Sequence, residues 1–506
     1  MIIKNAIIYD GTGNLPFNAD LLIDKDKIGK INYHLNITDN QYFDAQFLCL
    51  SPGFINMHSH SDLEVFVNKD MEHVIRQGIT TEVIGQDGLS VAPVTNAIVT
   101  ELANNIAPLA GVLDREYWWR SFGEYLNEVR DVNPAVRIES LVGHGTIRTC
   151  VMGNDNRKPN SSELKKMKEL TAKCLKEGAK GMSFGLVYPP GSYAQTKELI
   201  ELAKVVAEFD GIVMSHMRDE GDHLLDSIEE MGKVARQSKV RLNISHFQAS
   251  GPKNWGKIKE ALKKLSELRR EGLDIGFDHY PYTAGCTGLK RLVPDWAYAG
   301  GEKGFQFRLN RKDEYHKILC EVKYQIEEDR GGAEKIMIIS VPNKENRWMV
   351  GKTLSYIAEK INLLPEEAVL KILQTEGPSV VVNFFSLDEK DVTKLMMCPL
   401  QTICTDGIIG SHPHPRTYGS FPRVLGKYVR ELNIMRLEEA IKKMTMEPAR
   451  RLRLWDRGLI REGMSADLVL FNPNSIKDQN SYLQPNIFPI GIKAVWVKGK
   501  LIYCDL

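Results

Sequence analysis

Three apolar runs separated by helical stretches decide the fold: Ile212-Val-Met-Ser-His216, Val240-Arg-Leu-Asn-Ile-Ser-His246 and Leu273-Asp-Ile-Gly-Phe-Asp-His-Tyr280. Each is too short for a helix, rich in strand formers, and closes on a histidine or a His-Tyr pair. The unit just upstream has the same form. Asn160-Ser-Ser-Glu163 reads as an N-cap with an acid three residues on. Leu164, Met167, Leu170, Cys174 and Leu175 then recur at helical spacing until Gly178 stops the helix. Gly181-Met-Ser-Phe-Gly-Leu-Val-Tyr188 follows as a strand and Pro189-Pro-Gly191 as a turn. Further helices are expected at about 196–209, 222–237 and 254–270. Strands alternating with helices through short links predict parallel strands joined by right-handed crossovers. Working outward, residues 54–58, 80–84, 137–142 and 400–406 bring the set to about eight strands, the number of a (β/α)8 TIM-type barrel. A doubly wound open sheet competes, but no GxGxxG run opens a helix, which counts against its dinucleotide-binding form.

The chain ends have another texture. Short β-prone pieces at 2–9, 20–23 and 27–31 match others at 465–471 and 492–499, and neither group buries a core alone. Residues 1–50 plus 455–506 are therefore expected to form one small β-sandwich, and residues 51–454 the barrel. Residues 294–399 exceed what one crossover needs and predict an insertion over the barrel mouth, with strands near 335–341 and 379–385.

A 43% hydrophobic, 26% charged composition is that of an ordinary globular protein, and a net charge of +1 asks for neither nucleic acid nor an anionic membrane. No segment approaches the ~18 uninterrupted apolar residues of a membrane span, and the first residues lack a signal peptide's apolar core. The eight cysteines form no CxxC pair, as expected of reduced thiols in a cytoplasmic protein.

Ionisable residues fall in step with the strands. His58 and His60, in Ser51-Pro-Gly-Phe-Ile-Asn-Met-His-Ser-His60-Ser-Asp62, share one face of the first strand. Asp87 follows the second strand and His144 the third; His216 and His246 end the fifth and sixth; His279 and Tyr280 end the seventh; Asp406 ends the eighth, in Thr405-Asp-Gly407. All lie at carboxyl ends, where barrel enzymes assemble their sites. A hydrogen-bonded rim residue explains any one histidine equally well. Several at one level, among 12 in the chain, are better explained by a metal site. Imidazole and carboxylate without clustered thiolates suit Zn²⁺ and tolerate Mn²⁺, Co²⁺ or Fe²⁺. His58, His60, Asp87, His216, His246 and Asp406 exceed one tetrahedral ion's needs and leave room for two ions bridged by a carboxylate. Such a site lowers the pKa of a water to ~7, and Asp406 is the candidate catalytic base; its plainer readings are ligand or helix cap. No G-x-S-x-G elbow is present, and no cysteine has a histidine nearby in sequence that would mark it as a nucleophile.

These motifs, with Gln77-Gly-Ile-Thr-Thr81, Val142–Arg148, Ser215-His-Met-Arg-Asp-Glu-Gly221, Ile244-Ser-His-Phe-Gln248, Tyr280-Pro-Tyr-Thr-Ala284, His414-Pro-Arg-Thr-Tyr-Gly419 and Gly463-Met-Ser-Ala-Asp-Leu-Val469, run the length of the chain. Together they resemble the N-acyl-D-amino-acid deacylase (D-aminoacylase) family of the amidohydrolase superfamily. The resemblance implies hydrolysis of a small-molecule N-acyl substrate with one or two Zn²⁺ ions. In it His216 and His246 hold the tighter metal, His58 and His60 the weaker, and Asp406 is the base. Three positions depart from the family's pattern: Asp87 replaces a cysteine, Gln248 a lysine near the substrate carboxylate, and Cys286 a serine. Loss of the lysine removes a charge-assisted hydrogen bond, for which Arg416 or Arg218 are candidate substitutes; Tyr280, Gln248, Cys286 and Arg416 are the expected substrate-binding residues.

Other readings stand beside these. Arg218-Asp-Glu220 reads equally as a surface ion-pair start to the next helix, and Tyr280 and Tyr282 as rim residues. His144 is expected in a supporting role; His412 and His414 either order their Pro-rich loop near Asp406 or stand in solvent. Lys180 precedes its strand, unlike the carboxylated lysine of binuclear relatives. The scaffold also serves cyclic amide hydrolases (hydantoinase- or dihydroorotase-like) and non-catalytic assembly proteins; the presence of every candidate ligand speaks against the last.

Overall fold

The computed structural model describes residues 1–35, 42–96, 98–113 and 119–505. Its central strands are all parallel and, apart from the half-buried Arg137–Ser140, all buried. Six form one sheet in the order Gln401–Ile403, Ile275–His279, Arg241–Ile244, Ile212–His216, Gly181–Gly185, Val142–Gly143. Three more, Phe54–Asn56, Ile79–Ile84 and Arg137–Ser140, form a second. Strands buried on both faces explain why these runs are continuously apolar rather than alternating. Only Leu141 separates the ends of the two sheets on one side, its N–H bonded to Ile84 O at 2.9 Å. On the other side Met57 N donates to Ile403 O at 3.4 Å, and Ser59 pairs with Gly407 in a parallel bridge.

The helices between them follow the expected signals. Asn160 and Glu163 cap each other's N–H groups at 2.9 and 2.8 Å, opening the helix Ser161–Lys176, and Gly178 at φ +119° ends it. The helices Thr196–Glu208, Leu224–Ser238 and Ile258–Arg270 cover the sheet. Two start later than expected. The Asp219 carboxylate accepts the N–H groups of Gly221 and His223, holding 219–223 as a loop.

Several strands end earlier than expected, at Asn56, Gly185, Ile244, His279 and Ile403, and the expected strand 137–142 divides at Leu141 between the two sheets. Beyond two of them the chain turns through left-handed residues, His246 at φ +33° and Asp406 at φ +47°, which no ladder can extend. Beyond Ile84, Asp87 at φ +55° does the same. Gly185 admits that turn: a Cβ there would lie 1.7 Å from Asp87 O.

Both chain ends share one sheet, in the order Lys500–Cys504, Ile492–Val497, Leu468–Phe471, Cys49–Pro52, Ile2–Ile8, Phe17–Asp24, Lys27–Asn32, with Tyr42–Asp44 beside Ile2–Ile8. Leu21, Leu50, Leu468 and Trp496 pack its core. A separate antiparallel sheet, Gly285–Gly288, Val381–Phe384, Ile336–Ser340, Lys352–Thr353, has its own core around Leu289, Phe305, Ile338 and Leu370. It begins before residue 294, because Gly285–Gly288 pairs with Val381–Phe384.

His73, on the short helix Glu72–Ile75, is buried, and burial lowers its pKa to about 4. Below pH 6.5 the unfolded chain binds a proton at this ring that the folded chain refuses. Stability is therefore full above pH 6.5 and falls until about pH 4, by up to about 3 kcal/mol from this group. Urea unfolding of the protein and of His73→Gln from pH 7.5 to 4 is expected to show a shallower loss in the variant; parallel curves would refute it.

Candidate metal centre

At the carboxyl ends of the parallel strands, side chains from four other segments gather around Asp87. Its Oδ1 lies 3.6 Å from His58 Nε2 and 3.4 Å from His246 Nε2. Its Oδ2 lies 3.6 Å from His60 Nε2 and 3.7 Å from His216 Nδ1. Asp406 Oδ1 closes the group at 3.2 Å from His60 Nε2 and 3.5 Å from His58 Nε2. The donor atoms form two sets, His58, His60, Asp87, Asp406 and Asp87, His216, His246, each within 4.8 Å of one another, and Asp87 belongs to both. The structure thus brings together all six residues that the sequence reading marked as ligands.

These donors fit a metal. His58 Nδ1 and Nε2, Asp87 Oδ1 and His216 Nδ1 are buried without a hydrogen-bond partner, a costly state unless something else satisfies them. Burial pushes the His58 pKa down to about 3, so the ring is neutral and its lone pair is free to coordinate. Asp87, His246 and Asp406 all sit in left-handed conformations, strain that clusters where geometry serves function.

Supporting groups orient the ligands. Glu220 Oε1 accepts from His246 Nδ1 at 2.9 Å, and its other oxygen accepts from Gln248 Nε2 at 2.7 Å. Glu220 is therefore inside the site and not a surface ion-pair residue; its position four residues after His216 was the available signal. Asp278, which the sequence reading passed over, accepts the His246 N–H at 2.9 Å and lies 3.8 Å from His58 Nδ1. Its place beside His279 in an apolar strand carried no distinguishing mark. His279 itself is buried and stacks on Tyr280 at 4.8 Å, outside both donor sets.

Arg416 is fully buried, with Nη1 2.8 Å from Asp406 Oδ2 and its guanidinium 4.4 Å over the Tyr280 ring. Burial alone would raise the Asp406 pKa. Arg416, with His58 and His60 opposite, outweighs it and holds the carboxyl well below its usual range. Tyr280 Oη donates to Gln248 Oε1 at 2.9 Å. Burial pushes the Cys286 thiol up to about 12, leaving it neutral, and its carbonyl accepts from Arg416 Nη2. His216, His246, Asp406, Gln248, Tyr280 and Cys286 all line one cavity of about 250 Å³.

Other candidates go elsewhere. Arg218 is a correction: it pairs with Glu230 at 3.0 Å and binds the carbonyls of Ser192 and Ala194, so it brings no free cation to the cavity. His144 and Arg148 share Glu198, both at contacts under 3 Å, as a buried structural cluster. His414 is buried rather than solvated, bonded to Ala284 O and accepting the Arg416 N–H, while His412 meets Tyr482 O. Tyr282 turns to Asp478, and Lys180 to Glu139.

Comparison with known proteins agrees with this geometry. The sequence pattern of the amidohydrolase family matches residues 41–314 and 400–503. A D-aminoacylase of Alcaligenes xylosoxydans xylosoxydans is 32% identical over 99% of this chain and 94% of that protein. The solved N-acyl-D-glutamate deacylase of Bordetella bronchiseptica, complexed with zinc and a phosphonate mimic of the tetrahedral intermediate, superposes with a TM-score of 0.86 at 29% identity. That match covers 99% of this chain and 96% of the other. A D-aminoacylase structure concerned with a binuclear metal centre also gives 0.86, at 31% identity, over 100% and 96%. A two-set donor cluster in a chain alike from end to end to such proteins has one explanation: this chain belongs to the amidohydrolase family, in its D-aminoacylase branch.

Proposed function

We propose that the protein is a metal-dependent amide hydrolase that cleaves the N-acyl bond of an N-acyl-D-amino acid, or a related N-acyl compound, to carboxylate and amine. The two parallel sheets are read as one closed (β/α)8 barrel. The single-residue break at Leu141 and the Met57–Ile403 and Ser59–Gly407 contacts support that closure. Residues 51–454 are the hydrolase domain, interrupted by an insertion at about 294–399 whose sheet reaches back to Gly285; residues 1–50 and 455–506 form the β-sandwich.

His58 and His60 with Asp406, and His216 with His246, are the proposed metal residues, and Asp87 bridges the two sets. Zn²⁺ bound there supplies a Lewis acid that polarises the scissile carbonyl and acidifies the attacking water. Asp406 accepts that water's proton on a carboxylate oxygen and delivers it to the leaving nitrogen. Arg416 keeps Asp406 ionised and fixes its orientation. Glu220 and Asp278 hold the His246 ring and backbone. Tyr280, Gln248 and Cys286 form the substrate wall.

One observation carries the reading: Asp406 turns Oδ1 to His58 and His60 and Oδ2 to Arg416, so a single carboxylate faces the donor cluster while its charge is held by a buried cation. The D preference rests on the likeness to the D-aminoacylase.

Protein made in zinc-supplemented medium is expected to contain roughly one to two metal ions per chain by emission spectrometry; a metal-free, correctly folded product would end the reading. On a panel of N-acetyl-D-amino acids, N-acetyl-L-amino acids and hydantoins, turnover is expected in the first group. Asp406→Asn is expected to lower kcat by about 10²–10⁴ with metal content near wild type. Wild-type turnover by that variant would remove Asp406 from the chemistry.

A further inference from the structure

A second cavity, of about 300 Å³, lies against the catalytic one and shares Val187, Tyr188 and Arg291 with it. Its other walls come mainly from the helix Val99–Ala110 and from the segment 290–303. None of the six donor residues of the metal centre lines it. Among the described residues, its lining carries three acids, Glu101, Asp295 and Glu302, and three bases, Lys290, Arg291 and Lys303. That balance leaves no net field to draw in either an anion or a cation.

Two polar groups in this lining have nothing to bond. Lys290 is half-buried, and among the described residues its ammonium makes no hydrogen bond and meets no carboxylate within 4 Å. Tyr298 is 8% exposed, and its Oη is buried without a partner. An unbonded buried phenol costs stability, and an unpaired buried ammonium costs more.

Both groups are also held in place. The Tyr298 ring stacks on Phe305 with centroids 4.5 Å apart. Arg308 Nη1 donates to the carbonyls of Ala297 and Ala299, on either side of Tyr298, at 3.2 and 2.7 Å. The Leu289 N–H bonds Val380 O at 2.8 Å, and the Val293 N–H bonds Lys290 O at 3.0 Å, which fixes the turn that carries the lysine. Burial lowers the Lys290 pKa to about 8, with Glu302 opposing it. Burial raises the Tyr298 pKa well above its usual value, so the phenol keeps its proton and can donate it to a ligand. A desolvated, unpaired lysine is the form of the side chain that attacks a carbonyl carbon.

We infer that Lys290 is a nucleophilic amine and that the second cavity takes a small neutral aldehyde, held through Tyr298 Oη and joined to Lys290 Nζ as an imine. The Nζ lone pair forms the C–N bond while the carbonyl π pair moves to oxygen. That oxygen leaves as water with both amine hydrogens, so neither oxidant nor reductant is consumed. Tyr298 Oη donates to the oxygen as charge gathers there. A neutral aldehyde brings no charge of its own to desolvate, which suits a lining whose charges already balance. The inference is independent of the deacylase reading, since the cavity contains none of the metal residues.

The test treats the zinc-loaded full chain at pH 7.5 with propionaldehyde and cyanoborohydride, which traps each imine as a propylated lysine, and follows every site by peptide mass mapping. Near a pKa of 8 roughly a quarter of Lys290 is the free amine, against about 0.1% for an unperturbed exposed lysine. Lys290 is therefore expected to be alkylated at least about tenfold faster than the exposed Lys303 on the same rim. Its rate should saturate with propionaldehyde concentration, as binding in a cavity requires, while that of Lys303 rises linearly. Tyr298→Phe should slow Lys290 severalfold and leave Lys303 unchanged, with near-ultraviolet circular dichroism reporting that the variant has folded. Alkylation of Lys290 no faster than that of Lys303 overturns the inference. So does a strictly linear concentration dependence at Lys290, a result that needs no variant, or an undiminished Lys290 rate in folded Tyr298→Phe.

Discussion

A single buried carboxylate, that of Asp87, organises this molecule. Four imidazole nitrogens from three separate segments lie 3.4–3.7 Å from its two oxygens, and burial makes an unanswered charge there untenable. The arrangement holds only if every contributing strand ends at the same level. In a strand, a slip of one residue turns each side chain to the other face, so the register between Gly185 and His216 is also the register of the metal ligands. The glycines around Asp87 serve that demand. Gly85 at φ +75° and Gly185 leave no room for a Cβ, because the loop carrying the carboxylate lies directly on its neighbours.

Much of this is legible in the sequence. Strands and helices alternate clearly from 160 to 280 because caps, stops and apolar periods agree there, and the ligands stand where apolar runs give way to polar residues. What escaped has physical causes. Strand ends were overrun because His246 and Asp406 continue a β-prone string yet adopt left-handed backbone, which composition does not announce. Asp278 was missed because a carboxylate inside an apolar strand looks the same whether it points to the core or to the sheet's helices. Glu220 was ambiguous because the same Arg-Asp-Glu string opens surface helices. The roles of Arg218 and Arg416 depended on partners away from each in sequence, Glu230 twelve residues downstream of the first and Asp406 ten residues upstream of the second.

The electrostatics separate two kinds of arginine in one cavity. Arg416, wholly enclosed and facing Asp406, sets the charge state of the group nearest the donor cluster. Arg330 and Arg291, between 285 and 384, make no ion pair within 4 Å among the described residues, though Asp329 and Glu220 act on the first and Asp295 on the second at longer range. The donor cluster stands at the carboxyl ends of the parallel strands, and residues between 285 and 384 line the cavity opposite it.

The sheet built from both chain ends has a consequence for biosynthesis. Cys49–Pro52 leads within two residues into the strand that delivers His58, yet its antiparallel neighbour Leu468–Phe471 lies far along the chain. At roughly 5–20 residues per second, a ribosome takes on the order of tens of seconds to travel between them. Throughout that interval the earliest-made strands present an open edge, and the nascent protein relies on chaperones or on its own transient pairing until the closing strand emerges.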